Sequence, residues 1–219
     1  MTAQLLPNKL TPVSPDEAGR ALASAYAAVA GQTLSEPVLN LLLAHWAGET
    51  ANGAAVHNFN FGNQKRADSD PYYQEFSERE VVDGKDEYAV RQWAAYLTAA
   101  DGAAAWLRLL HSRTAWWTAL QTGDPKAYVH ALKEPPAYAS ETEPKYYALV
   151  AGLMKRYAPI AHKYARSSAS AGPAVLLLLV AVGGILFLAA HTALGGPMLV
   201  SSAALFGRGN QGGVWLTHA

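Results

Sequence analysis

The sequence predicts a mainly α-helical chain with a small β-hairpin lobe and a C-terminal transmembrane helix. Three features carry that prediction. Apolar residues recur at helical spacing in several separate runs between Pro15 and Tyr157. One stretch, Ala67–Tyr88, breaks the rhythm: it is acidic and polar and contains Val81-Val82-Asp83-Gly84-Lys85, an apolar pair followed by a hairpin-type turn. Finally, Ser167–Gly207 contains no Lys, Arg, Asp or Glu, and Pro173–Leu194 is apolar over about the length that a bilayer requires.

Composition narrows the function. A chain of 219 residues has room for one domain of ordinary size and an extra segment. The formal net charge of zero argues against a general nucleic-acid binder, which needs a basic face, and leaves an uncharged glycan open as a partner. With no cysteine, disulfides, thiolate metal sites and thiol nucleophiles are excluded.

The chain divides into an extended lead-in (1–14), a folded domain (15–164) and an apolar membrane segment with its tail (165–219). Met1–Ser14 is polar, and it lacks the apolar core of a secretory signal. A helix then starts at Pro15, with Ser14 as cap and Asp16 and Glu17 suited to its positive end. Ala18, Leu22, Ala25, Tyr26 and Val29 form its packing stripe. Ser35, Glu36 and Pro37 signal the next helix, whose apolar face carries Val38, Leu41, Leu42 and His45/Trp46. Glu49 follows Leu42 by seven residues, His45 by four and Trp46 by three, so its carboxyl lies on that face at the helix end. A carboxyl on a buried face resists ionisation. It can hold its proton at neutral pH, as the general acid of glycoside cleavage must. Beyond it, Asn52-Gly53 is a turn, and Asn58, Asn60, Gly62 and Asn63 mark an ordered, amide-rich loop.

Strands are expected over roughly Glu78–Val82 and Asp86–Trp93, with Arg91 and Tyr96 linking hairpin to helix. Thr98 caps a helix burying Ala103, Trp106, Leu107 and Leu110. Trp116, Trp117 and Leu120 belong to a further helix, which Thr122-Gly-Asp-Pro125 ends. Another runs from Asp124-Pro125 through Leu132, the segment from Glu134 to Tyr147 breaks it, and Ala148–Tyr157 closes the domain. No nucleotide loop, metal-spaced His pair or Ser-His-Asp arrangement is present. His45 and His57 flank the Glu49 region and read as packing or hydrogen-bonding residues.

The segments Trp46-Ala-Gly-Glu49-Thr-Ala-Asn-Gly53 and His57-Asn58-Phe59-Asn60-Phe61-Gly62-Asn63, with Lys65 after them, resemble the signature of the bacterial and phage glucosaminidases. These are flagellar-type and autolysin muralytic enzymes of lysozyme-like fold. Asn63-Gln64 replaces the more usual Gly-Ile pair. Glu80-Val-Val-Asp-Gly-Lys85 is similar to the family's second acidic segment, and Gly123-Asp-Pro125 with Tyr138 and Tyr146 to its closing region. Tyr138 stands two residues farther from Tyr146 than usual, and Pro136-Ala137 replaces a common Gly. The resemblance spans about Pro15–Tyr157. It implies a lysozyme-like α+β domain that cleaves a β-1,4 bond of peptidoglycan glycan strands without metal or cofactor. Glu49 would be the general acid and Glu80 the second carboxylate, with Glu78 behind it. Asn60 and Tyr138 would hold the N-acetyl sugar, with Asn58 and Phe61 beside them. The alternatives are a lytic transglycosylase, needing Glu49 alone, and a non-catalytic glycan-binding or structural virion membrane protein. A weaker one is a channel formed by oligomerised tails.

Pro173–Leu194 is read as a single-pass C-terminal anchor in a lipid membrane, ended by Gly195-Gly-Pro197. Met198–Phe206 is too short to span. Lys155, Arg156, Lys163 and Arg166 precede the span, and the positive-inside tendency would hold the domain on the cytoplasmic side, away from peptidoglycan. Two settings reconcile this: a phage virion or its membrane meeting the wall from outside, or export by another route. They imply virion or secretion-apparatus partners.

Overall fold

A computed structural model of the chain describes residues 2–82, 85–134, 138 and 142–170, with the side chains of 78–87 and 167–170 left out. The elements are β1 (Gln4–Leu5), α1 (Pro15–Ala30), α2 (Glu36–Glu49), β2 (Tyr72–Val82), β3 (Lys85–Ala94), α3 (Ala99–Ser112), α4 (Thr114–Gln121), α5 (Pro125–Lys133) and α6 (Glu143–Ser170). Helices pack around a single core cluster, and the three strands form one small sheet in the order β1-β2-β3.

α2 is the axis of the helical part. Val38, Leu39 and every residue from Leu41 to Ala47 are buried, so it is enclosed nearly all round rather than along one stripe. α6 lies along it, and α1 packs on both α3 and α6. Local chemistry starts α1, α3 and α5 as the sequence indicates. Ser14 Oγ accepts the Glu17 amide at 3.2 Å, and Thr98 Oγ1 accepts that of Asp101 at 3.1 Å. Asp124 Oδ1 accepts the Lys126 amide at 2.9 Å, ahead of Pro125 in the first turn. Ser35 occupies the cap position of α2 without a side-chain hydrogen bond.

The structure extends the sequence expectations in three places. The hairpin strands are longer, because the register of β2 and β3 continues from Val82↔Lys85 down to Tyr73↔Ala94. Aromatic packing supports that extension: Phe76 stacks on Trp93 at 4.9 Å with the planes 9° apart. The connecting Asp83-Gly84 lies outside the described residues. The lead-in does more than extend, since Gln4 and Leu5 pair in parallel with Tyr72 and Tyr73. The closing helix, expected at 148–157, runs instead over Glu143–Ser170 and through Pro159. Its buried stripe explains the continuation: Tyr146, Val150, Tyr157, Ala161 and Ala165 follow one another by four or seven positions, which keeps them on one helix face. Ties to the other helices reinforce it. Lys163 Nζ reaches Asp16 at 2.7 Å, Tyr164 Oη donates to the other Asp16 oxygen at 2.7 Å, and His162 meets Glu36 at 2.8 Å. Tertiary packing thus overrides the proline as a stop signal.

The expected membrane span, Pro173–Leu194, lies outside the described residues. Among the described residues no helix is long and apolar enough to cross a membrane.

Candidate active site

α2 ends at Glu49, where Thr50 N bonds back to Trp46 O at 3.0 Å and Thr50 Oγ1 donates to the same carbonyl at 2.6 Å. The chain then turns sharply. Ala51 and Asn52 adopt left-handed φ values of 48° and 60°, and Gly53 follows at 87°. A Cβ on Gly53 would meet the backbone of Val13 and the indole of Trp46, so both conformation and space require glycine there. Asn58, Phe59 and Asn63 are also left-handed, a region that the short amides of Asn58 and Asn63 tolerate.

Those amides knit the loop to the lobe. Asn60 Nδ2 donates to Gln64 O (2.9 Å) and Ala94 O (3.0 Å), while its Oδ1 accepts the Gln64 amide at 2.8 Å. Asn58 Nδ2 donates to Pro7 O (2.9 Å) and Gln74 Oε1 (3.0 Å). Phe61 is fully buried beside Trp46. Tyr138, 1% exposed, donates from its hydroxyl to Gly62 O at 2.8 Å and accepts from Trp106 Nε1 at 3.1 Å. Gly62 permits that seating, since any Cβ would run into the Trp106 ring. Of the four residues expected to hold the sugar, Asn60 directs its amide to Gln64 and Ala94, Asn58 to Pro7 and Gln74, and Tyr138 its hydroxyl to Gly62 and Trp106, while Phe61 packs on Trp46.

Glu49 itself is placed as the sequence implied. Its side chain is 8% exposed, enough to touch solvent at the edge of an otherwise closed site. Tyr146, from the first turn of α6, donates its hydroxyl to Oε1 at 2.8 Å. Asn63 Nδ2 donates to the Glu49 backbone carbonyl at 2.6 Å, tying the loop to the helix end. Burial raises the carboxyl from its ordinary value of 4.5 to about 7; the Tyr146 hydrogen bond and the positive charge of Lys133 pull the other way and are outweighed. At neutral pH a substantial fraction of Glu49 therefore carries its proton.

Three residues from separate helices, His45, Tyr128 and Tyr146, enclose this carboxyl, and His45 is the hydrogen-bonding residue the sequence indicated. His45, one turn earlier on α2, is wholly buried and receives the edges of Trp106, Tyr128, Tyr138 and Tyr146, at centroid distances of 4.5 to 6.2 Å. Its Nδ1 is 2.7 Å from Tyr128 Oη, and its Nε2 is 3.8 Å from Glu49 Oε1. Burial lowers its pKa to about 3, so the pair is not an ion pair at neutral pH. The spacing of four between His45 and Glu49 was visible in the sequence. Tyr128 and Tyr146 sit on other helices; Tyr146 falls in the closing region of the motif resemblance, and nothing local marks Tyr128.

Glu80 lies in β2 opposite Glu87. Its side chain, like that of Glu78, falls outside the described residues. A separate cleft of about 660 Å³ opens between α3 and the 64–72 segment, with Gln64, Asp70, Tyr72, Tyr96 and Arg108 among its walls, and Glu49 does not line it.

No protein-family model and no curated protein matches the chain. Among solved structures it is similar to a peptidoglycan hydrolase mutant from Sphingomonas sp. A1, at 20% identity and a TM-score of 0.49, over 64% of this chain and 90% of that one. It is similar to the catalytic domain of the autolysin Auto from Listeria monocytogenes at 15% identity and 0.49, over 70% and 89%. The glycoside hydrolase domain of FlgJ from Salmonella typhimurium gives 14% and 0.47, over 72% and 97%.

Proposed function

We propose that this chain hydrolyses peptidoglycan glycan strands at a β-1,4 bond between N-acetyl sugars, as an N-acetylglucosaminidase or muramidase. One observation carries the reading: a carboxyl at a helix end, almost wholly enclosed yet still touching solvent, with its titration pushed up to about 7. A group so placed can give a proton to a leaving glycosidic oxygen at neutral pH. The motif resemblance around Glu49 and Asn60 supports a glycan as the substrate.

In the proposed reaction Glu49 protonates the leaving oxygen as the glycosidic bond breaks, and Tyr146 stabilises the carboxylate left behind. Glu80 activates the attacking water, or steadies the oxocarbenium-like transition state while the substrate's acetamido group assists. Asn58, Asn60, Phe61 and Tyr138 act by holding the loop that frames the acid. Residues 173–194, uncharged and apolar, would anchor the domain in a membrane, in a phage virion or exported to the wall. Incubating purified peptidoglycan with the full chain in detergent tests the proposal: soluble fragments should appear, and Glu49→Gln should release none. Equal release by a folded Glu49→Gln variant would remove Glu49 from the mechanism.

A further inference from the structure

We propose that His45 is a positioning residue for Glu49, and that its Nε2–H is the second donor to the carboxylate formed when Glu49 gives up its proton. This rests on Glu49 being the acid of the reaction.

The assignment of the imidazole proton follows from the partners present. Tyr128 Oη is buried, and His45 Nδ1, at 2.7 Å, is the hydrogen-bond partner the structure gives it. A buried phenol must donate its proton somewhere, or lose that bond outright. Donating to Nδ1 leaves the imidazole proton on Nε2. The opposite tautomer would strand the phenol proton and leave Nε2 bare as well. Nε2 has no hydrogen-bond partner among the described residues, and Glu49 Oε1 stands 3.8 Å away. That is too long for a bond in the resting, protonated acid. It is short enough to close once Oε1 carries charge, because a small side-chain rotation brings the two together.

The groups that face the pair leave this role to His45. From α5 come Tyr128, engaged on Nδ1, and Lys133, whose Nζ sits over the Tyr146 ring at 4.9 Å. From α6 comes Tyr146, already bonded to Oε1. Tyr138 is committed to Gly62 and Trp106, and Asn63 to the Glu49 backbone. α3 contributes the Trp106 edge. When the Glu49 O–H bond breaks and the proton passes to the leaving oxygen, the new carboxylate meets Tyr146 Oη and His45 Nε2. His45 neither gains nor loses a proton in the step.

The test uses the full chain in detergent with 15N-labelled histidine and 13C-labelled glutamate. Nε2 should be the protonated nitrogen, and its proton signal should move downfield as Glu49 ionises. His45→Phe, which keeps an aromatic ring but no donor, should raise the Glu49 midpoint by about one pH unit, while His45→Gln should restore it. The alkaline limb of glycan cleavage should follow the same order. If His45→Phe does not fold, the wild-type signals and His45→Gln decide. A proton on Nδ1, an Nε2 signal indifferent to Glu49, or a His45→Gln midpoint displaced by about a full unit would overturn the proposal. If the signals couple as described but the chain cuts no glycan, the hydrolase reading falls and the His45–Glu49 pairing stands.

Discussion

Glu49→Gln keeps the size of the side chain and removes its acid, so it separates catalysis from packing at one position. In the wild type burial pushes the folded carboxyl up to about 7, against an ordinary value of 4.5. Between those values the unfolded chain has lost a proton that the folded chain still holds. Unfolding therefore becomes progressively easier as pH rises through the window, and the deficit is complete above the folded value. A displacement of about 2.5 pH units at about 1.36 kcal/mol each gives about 3 kcal/mol. The 8% exposure of the side chain leaves little solvent to screen it. Gln carries no such deficit. The stability difference between Glu49→Gln and wild type should therefore be constant below about pH 4.5 and grow in favour of the variant by about 3 kcal/mol by about pH 8. In a domain of this size that is an upward shift of roughly 6–12 °C in Tm. His45 has the opposite slope: burial lowers its pKa to about 3, so the folded state loses stability as pH falls below the ordinary histidine range. That loss is common to both proteins and cancels in the difference. Urea titrations across this pH range read the effect, with peptidoglycan cleavage measured in parallel. A stability gap that does not change with pH would refute the claim that Glu49 is a buried acid, whatever happens to activity.

Tyr146→Phe removes the donor on Glu49 Oε1, so the Glu49 midpoint and the alkaline limb of cleavage should rise by about one pH unit, measured as rate against pH. Glu80→Gln should lower hydrolysis by a factor on the order of 10²–10⁴ with little change in stability; a rate within twofold of wild type would exclude Glu80 from water activation. Tyr138→Phe leaves the Gly62 carbonyl and the Trp106 N–H without their partner, and chemical denaturation should show a loss of about 1–3 kcal/mol.

The helical frame was legible because its signals are local: Ser14, Thr98 and Asp124 cap the helices they precede, and the periodic stripes of α1 and α3 are the faces found buried. Glu49 was legible for the same reason, since its spacing from Leu42, His45 and Trp46 fixes the face it occupies. What surrounds it was not. Tyr128 and Tyr146 reach the site only because α5 and α6 fold back onto α2, a long-range arrangement with no trace in the spacing of either residue. Asn60 and Tyr138 were singled out by the motif resemblance, and the partners of their hydrogen bonds, Ala94 and Gly62, lie 34 and 76 residues away. The closing helix, expected to end at Tyr157, runs on to Ser170 because the ties that carry it past Pro159 come from α1 and α2 and leave no local signal.

Mass spectrometry of peptidoglycan digested by the full chain, beside Glu49→Gln, tests the central claim most directly. Fragments with reducing ends, absent from the variant digest, are expected, and the sugar at that end names the bond cut. Anhydro-muramyl ends would keep Glu49 as the acid and replace hydrolysis with transglycosylation, removing water activation by Glu80. Intact glycan strands after incubation with folded wild-type protein would contradict the account.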